Sequence, residues 1–478
     1  MPAAVHDDGR KVYTQVSSIA TIVMLAAGLG TRMNSLLPKV MHTVCGVPLL
    51  SHVVAAADGL VADRRVAVLG HGQDLAQSVL PPAWEVATQE RQRGTGDALV
   101  AAAAYVGDGP VLVLSGDTPL VTTAMLRSFV SAHEQSAVDA TVLTMHLERP
   151  DGYGRVVRDA AGDVAYIVEQ RDATEAERAV CEVNAGMYVL PGRAALDILR
   201  GASTDNDQGE LYITDVVAGL RRRGARVGAY LLADPAEALG VNSRVDLAEA
   251  QHIMRARICR DWMLAGVTIE DPGSTHIDAT VRLESDVTIL PFTCLRGSTT
   301  IGTGSEIGPG ATLIDTQVGP GCRVRHSYTE GAVLDASASA GPFTYLRPDA
   351  HLGEAAKAGA FVEIKKSSIG PGSKVPHLSY IGDTTIGSAT NIGAGNITAN
   401  YDGRHKHATV IGDNVRTGSD TVFVAPVTIG DGATIGAGSI ITKDVPAEAL
   451  GIARCRQKNI RGYAGRSRGD GDVENDGE

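Results

Sequence analysis

The chain of 478 residues is long enough for two to four domains, and its 44% hydrophobic content can supply real cores. A net charge of −12 argues against nucleic acid as the main partner, and no stretch approaches the roughly 20 apolar residues of a membrane span. Aromatic residues make up only 4% while glycines number 55, a balance that suits a narrow prism better than a sandwich. The six cysteines (Cys45, Cys181, Cys259, Cys294, Cys322, Cys455) are scattered without a CxxC pair, which reads as free thiols in a reducing cytoplasm rather than disulfides or a zinc site.

Residues 1–16 are polar and read as a loose tail. The apolar run Ile19–Ala27 follows Arg10 and Lys11, so a signal peptide must be weighed. The run is short, Asp7 and Asp8 precede it, and a glycine loop follows. A buried parallel strand over Ile19–Leu25 fits better, and a soluble cytoplasmic protein is expected. In the loop Ala26-Ala27-Gly28-Leu29-Gly30-Thr31-Arg32-Met33, Gly28 and Gly30 let the backbone approach a phosphate, and Arg32 and Lys39 add cations. The loop is neither a Walker A sequence nor the dinucleotide fingerprint.

Apolar strands then alternate with helical stretches, at Arg65–Leu69, Gly96–Tyr105 and Val111–Leu114. This pattern predicts a mostly parallel α/β sheet with ligands at the carboxyl ends of its strands. Two loops fall at such ends. Gln89 and Gly94-Thr95-Gly96 offer amides to a base or phosphate, and Ser115-Gly116-Asp117 closes the strand VLVL. Asp117 reads either as a Mg²⁺ ligand beside a phosphate or as a turn or N-cap residue. Gly154, Glu169 and Asn184 lie at later strand ends, where short polar groups suit a sugar but also suit turns. A further helix is expected to start within Asn206–Asp215, and Gly240-Val241-Asn242-Ser243-Arg244 ends this part of the chain. Asp246–Leu264 has the helical period of an exposed arm.

From about Val287 to Ile441 an aliphatic residue, usually followed by glycine, returns every sixth position, as at Ile301, Ile307, Ile369, Val375, Ile381, Ile429, Ile435 and Ile441. Such a period predicts a coil of three short strands per turn, each aliphatic pointing into a prism. A rod of this kind cannot bury its flat faces alone and is expected to associate side by side. One long interruption is expected from Arg347 to Ser367, and Asn400–Lys406 breaks the period again. His377 has Tyr380, Lys365 and Arg347 on neighbouring turns, so it reads as a base or as a structural histidine.

Taken together these residues resemble the bacterial family of bifunctional N-acetylglucosamine-1-phosphate uridylyltransferase/glucosamine-1-phosphate N-acetyltransferases. The resemblance spans residues 17–465 and rests on two motif sets in order: LAAG-x-GTRM…PK, Q…GTG, GD, GYGR, VE, N-x-G and GVN-x-R, then RP, FVE-x-KK, H-L-x-Y, NIGAG, NYDG, GSD and a late Arg. It implies an α/β Rossmann-like nucleotidyltransferase domain over 17–244, a helical linker arm over 245–266 and a left-handed parallel β-helix N-acetyltransferase domain over 267–465. Disordered tails at 1–16 and 466–478 complete the chain, and a homotrimer is implied.

By resemblance, UTP would meet Leu25, Ala26, Ala27, Gly28, Gln89, Gly94, Thr95, Ser115 and Gly116. Arg32 and Lys39 would hold phosphates, Asp117 and Asn242 would bind Mg²⁺, and Gly154, Glu169 and Asn184 would grip the sugar. Arg347, Lys365, Tyr380 and Asn391 would bind glucosamine 1-phosphate, with His377 as the base. Acetyl-CoA would meet Ala394, Asn400, Tyr401, Lys406, Ser419, Ala437 and Arg454. Two positions depart from the family pattern: Leu29, where many members have Lys, and Val375-Pro376, where Ala-Gly is usual. The competing readings are a monofunctional nucleotidyltransferase with a scaffolding rod, and a regulatory subunit with a decayed site.

Overall fold

The computed structural model describes residues 19–206 and 208–466. The loose tails expected at 1–16 and beyond Arg466 lie outside the described residues. The chain divides into two compact units between Ile258 and Cys259, inside the helix Arg244–Leu264.

The strand Ile19–Leu25 sits centrally in the sheet of the first unit because both its faces are apolar. Ile22 and Met24 enter one core with Leu112 and Leu114, while Val23 enters the other with Val66, Val111 and Val113. It pairs in parallel with Ala62–Leu69 and with Pro110–Ser115. Glu85–Thr88 extends the sheet in parallel on one side. On the other side Glu182–Pro191 runs antiparallel to both Pro110–Ser115 and Ala140–His146, and Val227–Leu231 closes the edge. The expected parallel pairing holds from Glu85–Thr88 across to Pro110–Ser115, whereas Glu182–Pro191 is inverted and Arg155–Arg158 and Val164–Val168 join the sheet through further antiparallel pairs. The helix expected from Asn206–Asp215 begins only at Asp215, because Asn206 is engaged by its own loop, its amide donating to Glu210 O at 2.6 Å.

The second unit is a coil of strands mostly two to three residues long, stacked into parallel sheets. Thr288 lies opposite Glu306 and Glu306 opposite Arg323, one coil per step. The inward side chains form the core: Ile289, Ile307 and Val324 on one face, Leu295, Leu313 and Ile364 on the next, and each is fully buried. The interruption expected from Arg347 to Ser367 is overturned. Strands His351–Leu352, Lys357–Ala360 and Glu363–Lys365 carry the coil straight through it. Leu346, Leu352, Ala358 and Ile364 keep the six-residue step, and the small Ala358 at an inward position hid it. The second break does leave the coil, as a loop between Ile397–Ala399 and Thr409–Ile411.

Since Ile364 is fully buried in the prism, Ile364→Ala should lower stability by about 2–5 kcal/mol, read as a shift in the urea midpoint. A loss below about 1 kcal/mol would mean that this position is not close-packed.

Candidate functional site

At the carboxyl ends of the central strands of the first unit lies a cavity of about 460 Å³. The register Leu25↔Ser115 sets its floor, and Gly116 N donates to Leu25 O at 2.9 Å. Leu25, Ala26, Ala27, Gly28, Lys39, Gln89, Gly94, Thr95, Ser115 and Asp117 all line it. Gly94 has a φ of 103°, and a Cβ there would stand 2.5 Å from Leu211 O, so only glycine lets the loop close. Gly116 is buried and Arg32 exposed, and neither lines the cavity. Thr31, Gln92, Ala98 and Glu210 line the cavity without having been expected there. Thr31 belongs to the glycine loop, but no glycine pattern or charge run in the sequence marks Gln92, Ala98 or Glu210.

Beside the cavity, Lys39 Nζ is held by the Asp117 carboxylate and donates to Asn242 Oδ1 at 3.0 Å. These oxygens arrive from residues far apart in sequence because Val241 N donates to Asp117 O at 2.9 Å. Asn242 is fixed in turn by Asp246, whose Oδ2 accepts the N–H of Asn242 at 2.9 Å and of Ser243 at 2.8 Å. Asp246 lies in the first turn of the long helix, and the sequence reading passed over it as part of the arm.

Gly154, Glu169 and Asn184 form a second cluster. Asn184 N donates to Gly154 O at 2.9 Å, and a Cβ on Gly154 would stand 3.4 Å from Glu169 Oε2. The cluster reaches the cavity through Gly186, whose N–H donates to Asn184 Oδ1 at 3.0 Å and whose carbonyl accepts from Ser115 Oγ at 3.0 Å. Burial pushes the Glu169 carboxyl above its ordinary range, opposed by the hydrogen bond from Thr214 Oγ1 at 3.2 Å.

In the second unit, strand register aligns the expected residues. Lys374 lies opposite Asn391, Asn391 opposite Arg416, and Arg416 opposite Thr434. Three residues on, His377, Ala394, Ser419 and Ala437 therefore stack on one corner of four successive coils. Backbone bonds follow that stack, Gly395 N donating to His377 O at 3.3 Å, Asp420 N to Ala394 O at 2.8 Å and Gly438 N to Ser419 O at 2.8 Å. Arg454 Cδ comes within 4.0 Å of where a Gly438 Cβ would stand. His377 ends one face of the prism and Tyr380 opens the next.

On that next face Arg347 N donates to Ile364 O at 2.9 Å, so Arg347 lies one coil from Lys365. Arg347 Nη1 donates to Glu363 Oε1 at 2.9 Å. Tyr380 folds over Gly382, where a Cβ would stand only 2.5 Å from its hydroxyl and 2.8 Å from the Asn400 amide. Asn391 is exposed on the neighbouring face, outside this cluster. The loop after Asn400 is pinned by Asp402, which accepts from the N–H groups of Arg404 and His405 at 2.7 Å each and pairs with His407 at 2.8 Å. Those bonds bring the Asp402 carboxyl down to about 2. The loop carries exposed Tyr401 and sets Lys406 beside Lys365. The Lys365 ammonium lowers the pKa of Lys406, opposed by the Asp383 carboxylate.

Residues 22–216 match the MobA-like NTP transferase domain, and residues 408–443 match the bacterial transferase hexapeptide (six repeats). The bifunctional protein GlmU of Streptomyces avermitilis is 49% identical over 456 residues, covering 94% of this chain and 95% of its own. The chain belongs to the GlmU family. GlmU of Corynebacterium efficiens is 46% identical over 94% of this chain and 95% of its own, and GlmU of Heliobacterium modesticaldum 47% identical over 93% and 98%. A UDP-glucose pyrophosphorylase solved with UDP-glucose covers 50% of this chain and 99% of its own at 18% identity and a TM-score of 0.42, too slight a likeness to add to the assignment. As a member of the GlmU family the chain pairs a nucleotidyltransferase α/β unit with a left-handed parallel β-helix.

Because burial raises the folded pKa of Glu169, the stability it lends is full below its unfolded pKa and is lost as pH rises through the folded value. Glu169→Gln removes that loss. Its melting temperature should therefore gain on the wild type as pH rises above the ordinary carboxylate range. A difference that stays constant with pH would show that Glu169 is not destabilised by burial.

Proposed function

We infer that this chain makes UDP-N-acetylglucosamine in two steps. The second unit transfers acetyl from acetyl-CoA to glucosamine 1-phosphate, and the first transfers uridylyl from UTP to the product, releasing diphosphate. The observation that supports this reading is that the chain matches bifunctional relatives over nearly its whole length, with the motif residues of each unit drawn together by strand register.

In the first unit the nucleophile, a sugar-phosphate oxygen, is already anionic, so no general base is needed. The loop amides of Ala26–Gly28 and the Lys39 ammonium take the triphosphate, with Arg32 reaching in from the exposed end of the loop. Gln89, Gly94 and Thr95 take the base, Ser115 and Gly116 flank the ribose, and Gly154, Glu169 and Asn184 hold the sugar.

Asp117 and Asn242 fit Mg²⁺, since their oxygens already converge on one cationic group, the Lys39 ammonium. Among the described residues no cluster of three or more His, Cys, Asp or Glu surrounds a metal position, so phosphates and water would complete the shell. When bound, the ion neutralises charge on the α-phosphate and the departing diphosphate. Lys39 then exchanges its two oxygen partners for phosphate.

In the second unit Arg347 and Lys365 hold the sugar phosphate, and Lys406, beside Lys365, meets the phosphates of acetyl-CoA. Tyr380 and Asn391 orient the sugar. His377 takes the proton from the amine as it attacks the thioester carbonyl. Ala394, Ser419, Ala437 and Arg454 form the track for acetyl-CoA, and Asn400 and Tyr401 stand at the junction of the two ligands. Three such chains side by side cover the flat faces of the prism. Among the described residues no helix is long and apolar enough to cross a membrane, and the reaction is one of cytoplasmic cell-wall precursor synthesis.

His377→Ala should abolish acetyl transfer, a loss of about 10²-fold or more, and leave uridylyl transfer intact. Mass spectrometry of protein given glucosamine 1-phosphate, acetyl-CoA, UTP and Mg²⁺, with single omissions, checks both steps. Product formed only from pre-acetylated sugar phosphate would reduce the β-helix to a scaffold.

A further inference from the structure

We infer that Asp97 is the positioning residue by which the cavity selects uracil over cytosine, because it locks the Gln89 amide with its oxygen left for the base. The inference rests on the reading that this cavity takes UTP.

Gln89 is only 4% exposed, and its backbone is fixed to the sheet edge, its N–H donating to Leu69 O at 2.8 Å. Its side-chain Nε2 donates to Gly94 O at 3.1 Å and to Asp97 Oδ2 at 2.9 Å. A carbonyl and a carboxylate can only accept, so the amide cannot turn over without setting oxygen against oxygen. Asp97 is itself held, since Arg93 Nη2 donates to its other oxygen, Oδ1, at 2.9 Å. Both amide protons are thus engaged, and among the described residues no group donates to Gln89 Oε1.

That oxygen is an acceptor with no choice of role. Uracil in a nucleotide carries a single N–H, at N3, so it is the one atom of the base to which Oε1 can bond. Cytosine presents a bare lone pair at N3, which would face the lone pairs of Oε1. A site built around one hydrogen bond of fixed polarity rejects the analogue that lacks the donor far better than apolar contact could. Asp97 meets neither base nor phosphate in this account; it acts through Gln89.

Asp97→Asn tests the lock without changing shape. Its carboxamide can donate to Gln89 Oε1, so a turned Gln89 amide gains that hydrogen bond against the single oxygen–oxygen approach left at Gly94 O and can offer N–H groups to the base. With N-acetylglucosamine 1-phosphate as acceptor, kcat/KM would be measured for UTP and for CTP in wild type and variant. The UTP-to-CTP ratio should fall by roughly 10- to 100-fold, with kcat/KM for CTP rising in absolute terms. A merely structural role would lower both substrates alike and leave the ratio in place, and that result overturns the lock. Asp97→Ala, which removes the acceptor without supplying a donor, is the second variant should the first not fold, and its ratio must fall too. A wild type with no uridylyl transfer overturns the reading of the cavity itself, whereas a UTP-specific wild type whose variants keep its ratio overturns the lock alone.

Discussion

Parallel strand pairing is the interaction on which both units depend. In the first unit it brings the ends of Ile19–Leu25 and Pro110–Ser115 level, Leu25 opposite Ser115. The glycine loop and Asp117 thereby leave the sheet at the same edge. In the second it repeats coil after coil, so residues one turn apart share a position. Neighbouring strands stand about 4.8 Å apart, close enough for side chains on successive coils to act on one ligand. Arg347 and Lys365 meet in this way, and so do His377, Ala394, Ser419 and Ala437.

The two sites are built differently because their chemistries differ. Transfer of a phosphoryl-type group to an anionic oxygen needs cations and backbone amides held in place, and the first unit supplies Lys39 and a loop over a rigid sheet. Amine acylation needs a proton acceptor, and the second unit sets an exposed imidazole at a prism corner. Lys39, shared between Asp117 and Asn242, shows how the first site remains electrostatically satisfied: the carboxylate never stands alone. Lys365 and Lys406 show the reverse, two ammonium groups side by side, the first lowering the pKa of the second.

The motif-bearing parts of both sites were legible in the sequence because glycines and short polar runs at strand ends have few other uses. The loop from Ala26, the Gln89 to Thr95 stretch and Asp117 were found this way, and the structure gathers them around one cavity. Residues that act by holding others carried no such mark. Asp246 looked like any acid on a helix, yet it fixes Asn242. Asp97 drew no reading from the sequence, yet its carboxylate accepts from the Gln89 amide. The misread interruption at Arg347–Ser367 has a similar origin. Pattern reading sought a large aliphatic, and Ala358 satisfies the prism with a small one.

The sequence by itself determined the class of each unit, since alternating apolar runs and a six-residue period each admit few folds, and the family, since two ordered motif sets seldom coincide by chance. Only the tertiary structure decided which side chains meet. Lys39 with Asn242, Gln251 with Cys45 and Asn400 with Asp383 are contacts between residues that local pattern cannot pair. Periodicity states which way a side chain points relative to its own strand or helix. Which partner it finds there depends on register and on loop closure, and these are set by the packing of the whole unit.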